Sequence, residues 1–221
     1  MTLLQDIDNA KHIVIEFDVE CLSSVSALYT YVLRLHKKVS LLCPNKDLDT
    51  RFSFLPWFDK IKKSGYSSAD LHVELKLSAI ELYALFEQNN VLINQKMATA
   101  LYSGLLIETD SFQKIDSNGM VFAMAKQLVE AKAEHKICTK YILCTKSLAH
   151  LRLKAILLKK MILQENATIA LINIDDNDLK SSGAKLENAF DILKEALTLP
   201  HVKEAILEKD NKILKKIKKE I

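Results

Sequence analysis

Apolar positions change their spacing several times along the chain, and each change marks a new element. Residues 12–17, HIVIEF, form a nearly continuous β-branched run, the pattern of a buried parallel strand. Val25, Leu28, Tyr29, Val32 and Leu35 then recur at helical spacing, and residues 38–43 form a second apolar run, stopped by Pro44-Asn45. Strand, helix, strand in this order predicts a right-handed parallel βαβ unit. The segment 52–58, FSFLPWF, is an aromatic knot expected to pack against the sheet edge, and residues 69–74 are a candidate third strand.

Helical spacing follows over 78–87, over 94–107 with Asn94 as cap, and over 117–133, where Val121, Met124, Ala125, Leu128 and Val129 share a face. A shorter helix is expected at 136–144. A long one is expected at 146–164, with Leu148, Leu151, Ala155, Leu158 and Ile162 as its apolar side. The pattern changes again past Asn166. Residues 168–174 read as a strand, Asp175 to Asp178 as a polar turn opening a helix, 186–197 as a helix and 201–208 as a strand. Ile213, Ile217 and Ile221, four apart, suggest a helical tail. The expected architecture is α/β: a parallel sheet flanked by helices over 1–145, a linker helix over 146–165, and a small α/β unit over 166–221.

Composition narrows the chemistry. With 49% hydrophobic residues in 221, a sizeable core is expected, and a net charge of +3 selects neither nucleic acid nor membrane. The segment 148–163 is interrupted by Arg152, Lys154, Lys159 and Lys160 and is too short and charged to span a bilayer. Cys21, Cys43, Cys138 and Cys144 are dispersed, without the spacing of a zinc site. Free thiols and the lack of a signal-peptide pattern at residues 1–6 point to the reducing cytoplasm. There are only four glycines, Gly65, Gly104, Gly119 and Gly183, and no two are close. Phosphate-cradling loops need clustered glycines, so a P-loop or dinucleotide fingerprint is excluded.

Three segments, in order, resemble the DHH phosphoesterases, in particular their RecJ-like and NrnA-like oligoribonuclease branch. Residues 13–15 through 26–28 are similar to the opening strand, metal loop and helix. Residues 97–112, MATALYSGLLIETDSF, are similar to the family's Ala-x-Ala-Leu-Tyr-x-Gly helix and the Thr-Asp-Thr-Gly-x-Phe that follows. Ser147, Leu151-Arg152-Leu153-Lys154 and the strand at 168–174 resemble the connecting helix and first strand of the associated C-terminal domain, and Leu55-Pro56 stands where the family often has Phe-Leu-Pro. The resemblance implies two divalent cations, Mn²⁺ or Mg²⁺, activating a water against a phosphodiester.

The ligands that chemistry needs are replaced. Glu16 falls on the motif's His, Glu20 on its first Asp and Leu22 on its second; Glu108 falls on the later Asp ligand and Asp110 on a Gly. No Asp-His-His triplet occurs, His72 stands alone, and the segment that would hold the triplet and the glycine-rich substrate stretch are missing. No intact catalytic set and no cofactor are therefore expected. Glu16, Asp18, Glu20, Glu108 and Asp110 read as solvated residues at the sheet's carboxyl edge, with a weak single-ion site as the alternative. His72 is expected to be a partly buried structural residue, His135 and His150 surface residues, and Ser23, Ser24 and Ser26 part of a helix cap. The expectation is a degenerate, shortened phosphoesterase scaffold acting through binding to a protein partner or to a second copy, for instance through the apolar helix at 80–86. Residual metal-dependent hydrolysis of short oligonucleotides or nucleotide phosphates is one alternative. Nucleic-acid binding through Lys212, Lys215, Lys216, Lys218 and Lys219 is the other. No membrane partner is expected.

Overall fold

The computed structural model describes residues 3–44, 48–65, 68–114 and 119–219. It divides into a first unit, Met1–Thr145, and a second, Lys146–Ile221. Pro44 ends the second apolar run as expected from its sequence, whereas Asn45 lies outside the described residues.

In the first unit, helix α1 (Leu3–Asn9) leads into strand β1 (His12–Phe17). Ile13, Val14, Ile15 and Phe17 are buried, which is why this strand can only be central. Helix α2 (Leu22–Arg34) crosses to β2 (Lys38–Leu42), parallel to β1, and the two-residue strand β3 (Ile61–Lys62) extends that side. Strand β4 (Leu71–Leu75) pairs parallel with β1 on its other edge, giving the order β3-β2-β1-β4. Asp70 fixes that pairing: its Oδ2 accepts from the N–H groups of Lys11 and His12, each at 2.9 Å. Those bonds hold the Asp70 carboxyl below its ordinary value.

Helices α3 (Ala79–Gln88), α4 (Gln95–Glu108), α5 (Met120–Glu130) and α6 (His135–Cys138) complete the unit, with a π-helical turn, Thr139–Cys144, continuing α6. Ser78 and Glu81 form a capping box on α3, and the Asn94 side chain caps α4 by accepting from Met97 N at 3.0 Å. Helix α2 is buried almost all round its first three turns because α4 packs on it. Gly104 makes that approach possible: a Cβ there would overlap Ala79 Cβ and stand 3.0 Å from Ser23 Cβ. The aromatic knot packs on α2. Trp57, in the left-handed region at φ 68°, donates its indole N–H to Thr30 Oγ1 at 3.0 Å, and Ser26 donates to Pro56 O at 2.7 Å. Helix α5 begins at Met120; residues 117 and 118, expected in it, lie outside the described residues.

The second unit opens with helix α7 (Leu148–Lys160), then β5 (Ile162–Gln164), β6 (Ile169–Asn173), α8 (Asp176–Ser182), α9 (Leu186–Ala196), β7 (Glu204–Lys209) and β8 (Lys212–Lys218). The sheet order is β5-β6-β7-β8, with β6 and β7 parallel and both outer pairs antiparallel. The segment expected as a linker helix contributes to this core: Leu153 and Leu157 are fully buried against Ala170, Ile172, Ala189 and Leu193. Ile162, read from the sequence as the last residue on the apolar side of a helix over 146–164, opens β5 instead. The tail is a strand, not a helix. Asp210 and Asn211, both at positive φ, form a two-residue hairpin turn that folds β8 back on β7. A spacing of four shares a face in a regular strand as well as in a helix, but a bulge on β8 leaves Ile217 against the core and Ile213 exposed on the other face; Ile221 lies outside the described residues. His150 is buried, not on the surface, and burial, reinforced by Lys146, lowers its pKa.

Two measurements check this packing. Gly104→Val forces α4 away from Ala79 and Ser23 and is expected to lower stability by about 1–3 kcal/mol in urea unfolding. His150 binds protons less readily when folded than when unfolded, so its contribution is present above its ordinary pKa of 6.5 and is lost as pH falls through the lower folded value. His150→Gln is expected to flatten the acid limb of the thermal-midpoint-against-pH curve below about pH 6.5.

Candidate functional site

The strand order places the topological switch between β1 and β4, since the chain leaves β1 for β2 on one side and returns to β4 on the other. Open α/β sheets bind ligands outside the carboxyl ends of the strands at such a point. Glu16 lies there, exposed, in register with Glu74 of β4. Glu74 is ion-paired to Lys76 at 2.8 Å. Asp18 and Glu20 follow on the loop and the short 3-10 turn Val19–Cys21, both exposed.

Glu108 reaches this edge from the C-terminal end of α4, and its carboxylate is already engaged. Oε1 accepts from Ala79 N at 2.6 Å and Oε2 from Ile80 N at 3.3 Å. It therefore closes the N-terminus of α3, where unpaired N–H groups and the helix dipole favour an anion. Cys21 sits between these groups. Burial raises its thiol pKa first, and the charges of Asp18, Glu20 and, more weakly, Glu108 raise it further. A thiol held protonated is a poor metal ligand and a poor nucleophile. Ser23 and Ser24 do not cap α2: Ser23 Oγ lies 2.9 Å from Ser103 Oγ, and Ser24 donates to Cys21 O and Leu77 O.

Asp110, Ser111 and Phe112 are three successive residues in the left-handed region, at φ 46°, 61° and 68°. Thr109 locks the turn, donating to Leu105 O at 2.6 Å and accepting from Phe112 N at 3.0 Å. Asp110 thus occupies a glycine-like conformation that Asp tolerates better than most residues. Leu22 points into the core. His72 is exposed on β4, not partly buried as expected.

Two divalent ions a few ångströms apart need a shared cage of short ligands. Among the described residues no three His, Cys, Asp or Glu side chains come together as such a set. The residues present do not fit the dinuclear centre that the sequence resemblance implies. Glu74 was missed from the sequence. Its signal was alternation: Glu74 lies two residues beyond His72 on β4, on the same side of the sheet.

The chain is similar in fold to an exopolyphosphatase-related protein. That structure, from Bacteroides fragilis, superposes with a TM-score of 0.77 at 14% sequence identity, over 94% of this chain and 78% of the other. The likeness establishes a shared architecture: a parallel four-stranded sheet flanked by helices. A Methanococcus jannaschii protein assigned to the family II inorganic pyrophosphatases aligns over 90% of this chain and 83% of its own at 14% identity, but its TM-score of 0.35 is too low to bear on the fold. No family model matches the chain, and no curated protein matches it in sequence.

The role of Glu108 can be measured directly. Glu108→Ala is expected to cost about 1 kcal/mol of stability in the presence of EDTA, the scale of a lost helix N-cap, as followed by urea unfolding. Glu16→Ala and Glu20→Ala in the same assay are expected to stay within about 0.5 kcal/mol of the parent.

Proposed function

We propose that the chain is a degenerate DHH-type phosphoesterase scaffold that acts by binding and does not hydrolyse phosphodiesters. The observation that carries this reading is the engagement of Glu108. The carboxylate standing where the family has a metal ligand is bound to the first two N–H groups of α3. Leu22, standing for another ligand, is buried among apolar side chains. Glu16 and Glu20, the other two substituted positions, are long, exposed carboxylates with no imidazole beside them in the sequence. The overlay on the exopolyphosphatase-related protein supports the scaffold half of the reading, and the donor set supports the other half.

Nucleic-acid binding through the C-terminal lysines is less well supported. Lys216 is ion-paired with Glu204, and Lys215 lies over the Phe190 ring at 4.8 Å. Lys216 and Lys218, opposite Ile206 and Glu204, fall on the other face of β8 from Lys215, opposite Leu207, so the positive charge is divided between two faces.

Titration with Mn²⁺ during thermal unfolding tests the proposal. A ligand that binds only the folded state must raise the midpoint. The expected result is a midpoint unchanged by millimolar Mn²⁺, together with no release of p-nitrophenol from bis(p-nitrophenyl) phosphate above a no-protein control. A rising midpoint with turnover that Glu20→Gln abolishes would overturn the reading.

A further inference from the structure

Helix α7 has apolar residues on two sides, and only one of them is used within the chain. His150, Leu153 and Leu157 are buried in the core of the second unit. Leu148, Leu151 and Ala155 recur at i, i+3 and i+7 on another face, the one the sequence presents as its apolar side. That face is open: Leu148 is 62% exposed and Leu151 51%. On an α7 whose core-facing residues already satisfy the unit, two largely exposed leucines in line have no role in its packing.

The charges around this stripe identify what fits it. Arg152 and Lys159 are exposed on α7 beside the stripe, and Lys146 precedes it; no acidic residue occurs between 146 and 164. The neighbouring helix α9 has the opposite sign. Its exposed residues include Glu187, Asp191 and Glu195. Asp191 and Glu195 lie on the side facing α7: both act on the His150 imidazole, and Glu195 is ion-paired to Lys154 at 2.7 Å. The face is therefore a basic helix and an acidic helix side by side, with leucines exposed on the basic one.

An acidic partner would match α7 and clash with α9, and a basic partner would do the reverse. An anionic lipid surface or a nucleic acid would meet the α9 carboxylates. A surface carrying both signs in the same order is matched by itself, turned about a two-fold axis, because in such an interface residue i meets j while j meets i. We propose that the α7–α9 face is a homodimer interface, with α7 of each copy lying across α9 of the other. Leu148 and Leu151 then pack at the centre, and Arg152 pairs with Asp191 of the second copy. This inference is independent of whether the sheet edge of the first unit binds metal, since every residue it uses lies in the second unit.

Sedimentation equilibrium on the full chain tests it. The expected result is a reversible dimer that weakens with added salt. Leu148→Glu with Leu151→Glu should give a monomer whose thermal midpoint equals that of the parent diluted until it too is monomeric, since neither side chain belongs to the core. Arg152→Glu and Asp191→Arg should each weaken the dimer by about tenfold or more, and combining them should restore it to near the parent value. A parent chain that stays monomeric at about 100 µM, well above a micromolar Kd, would overturn the proposal. So would a dimer indifferent to the leucine substitutions. A dimer lost in both charge variants and not recovered in the double variant would overturn the crossing of α7 on α9.

Discussion

The first unit depends on the close approach of three helices at one point. Gly104 brings α4 against the first turn of α3 at Ala79 and against α2 at Ser23. Once the backbones are that near, their small polar side chains must bond to one another, because water cannot reach them. Ser103 pairs with Ser23, Ser24 donates to Leu77 O, and Glu108 takes the Ala79 and Ile80 N–H groups. The same contact that holds the unit together therefore also occupies the Glu108 carboxylate.

An architecture shared with an exopolyphosphatase-related protein at 14% identity does not fix the side chains at its switch point. The fold is maintained by apolar positions in β1, α2 and α4, which tolerate extensive exchange of one hydrophobic residue for another. A dinuclear site has no such tolerance. Its ligands must be short, acidic or imidazole, and converge within a few ångströms. Glu16 and Glu20 have the right charge but add a methylene each and point to solvent; Leu22 has no donor atom. The scaffold and its chemistry can thus diverge at different rates within one chain.

The second unit shows a different constraint. Its sheet has two open edges, β5 and β8, and helices α7 and α9 pack against the core residues of β6 and β7. β8 carries the lysines that discourage edge-to-edge pairing, two of them engaged by Glu204 and Phe190. The outer side of α7 carries leucines instead, and the charges beside them are balanced across α9. A chain that screens one exposed surface with lysines and leaves another apolar is consistent with an interface at the second.

Much of the first unit was legible in the amino-acid order. A β-branched run with no polar alternation had to be a central strand, and the caps at Ser78 and Asn94 follow from local chemistry that needs no partner. The residue types at Glu16, Glu20, Leu22 and Glu108 were equally visible, because ligand chemistry is a property of residue type. Three things depended on tertiary structure. Whether Ile213 and Ile217 mark a helix or a strand was undetermined, since a spacing of four suits both periods, and the Asp210–Asn211 turn decided it. Which side of α7 is core was undetermined because both sides are apolar; the sheet's position buried Leu153 and Leu157 and left Leu148 and Leu151 outside. The fate of Glu108 rested on a helix that starts 29 residues earlier in the chain, a proximity that no local pattern encodes. Residue identity sets what each group can do, and the long-range approach of backbones sets which of those possibilities is used.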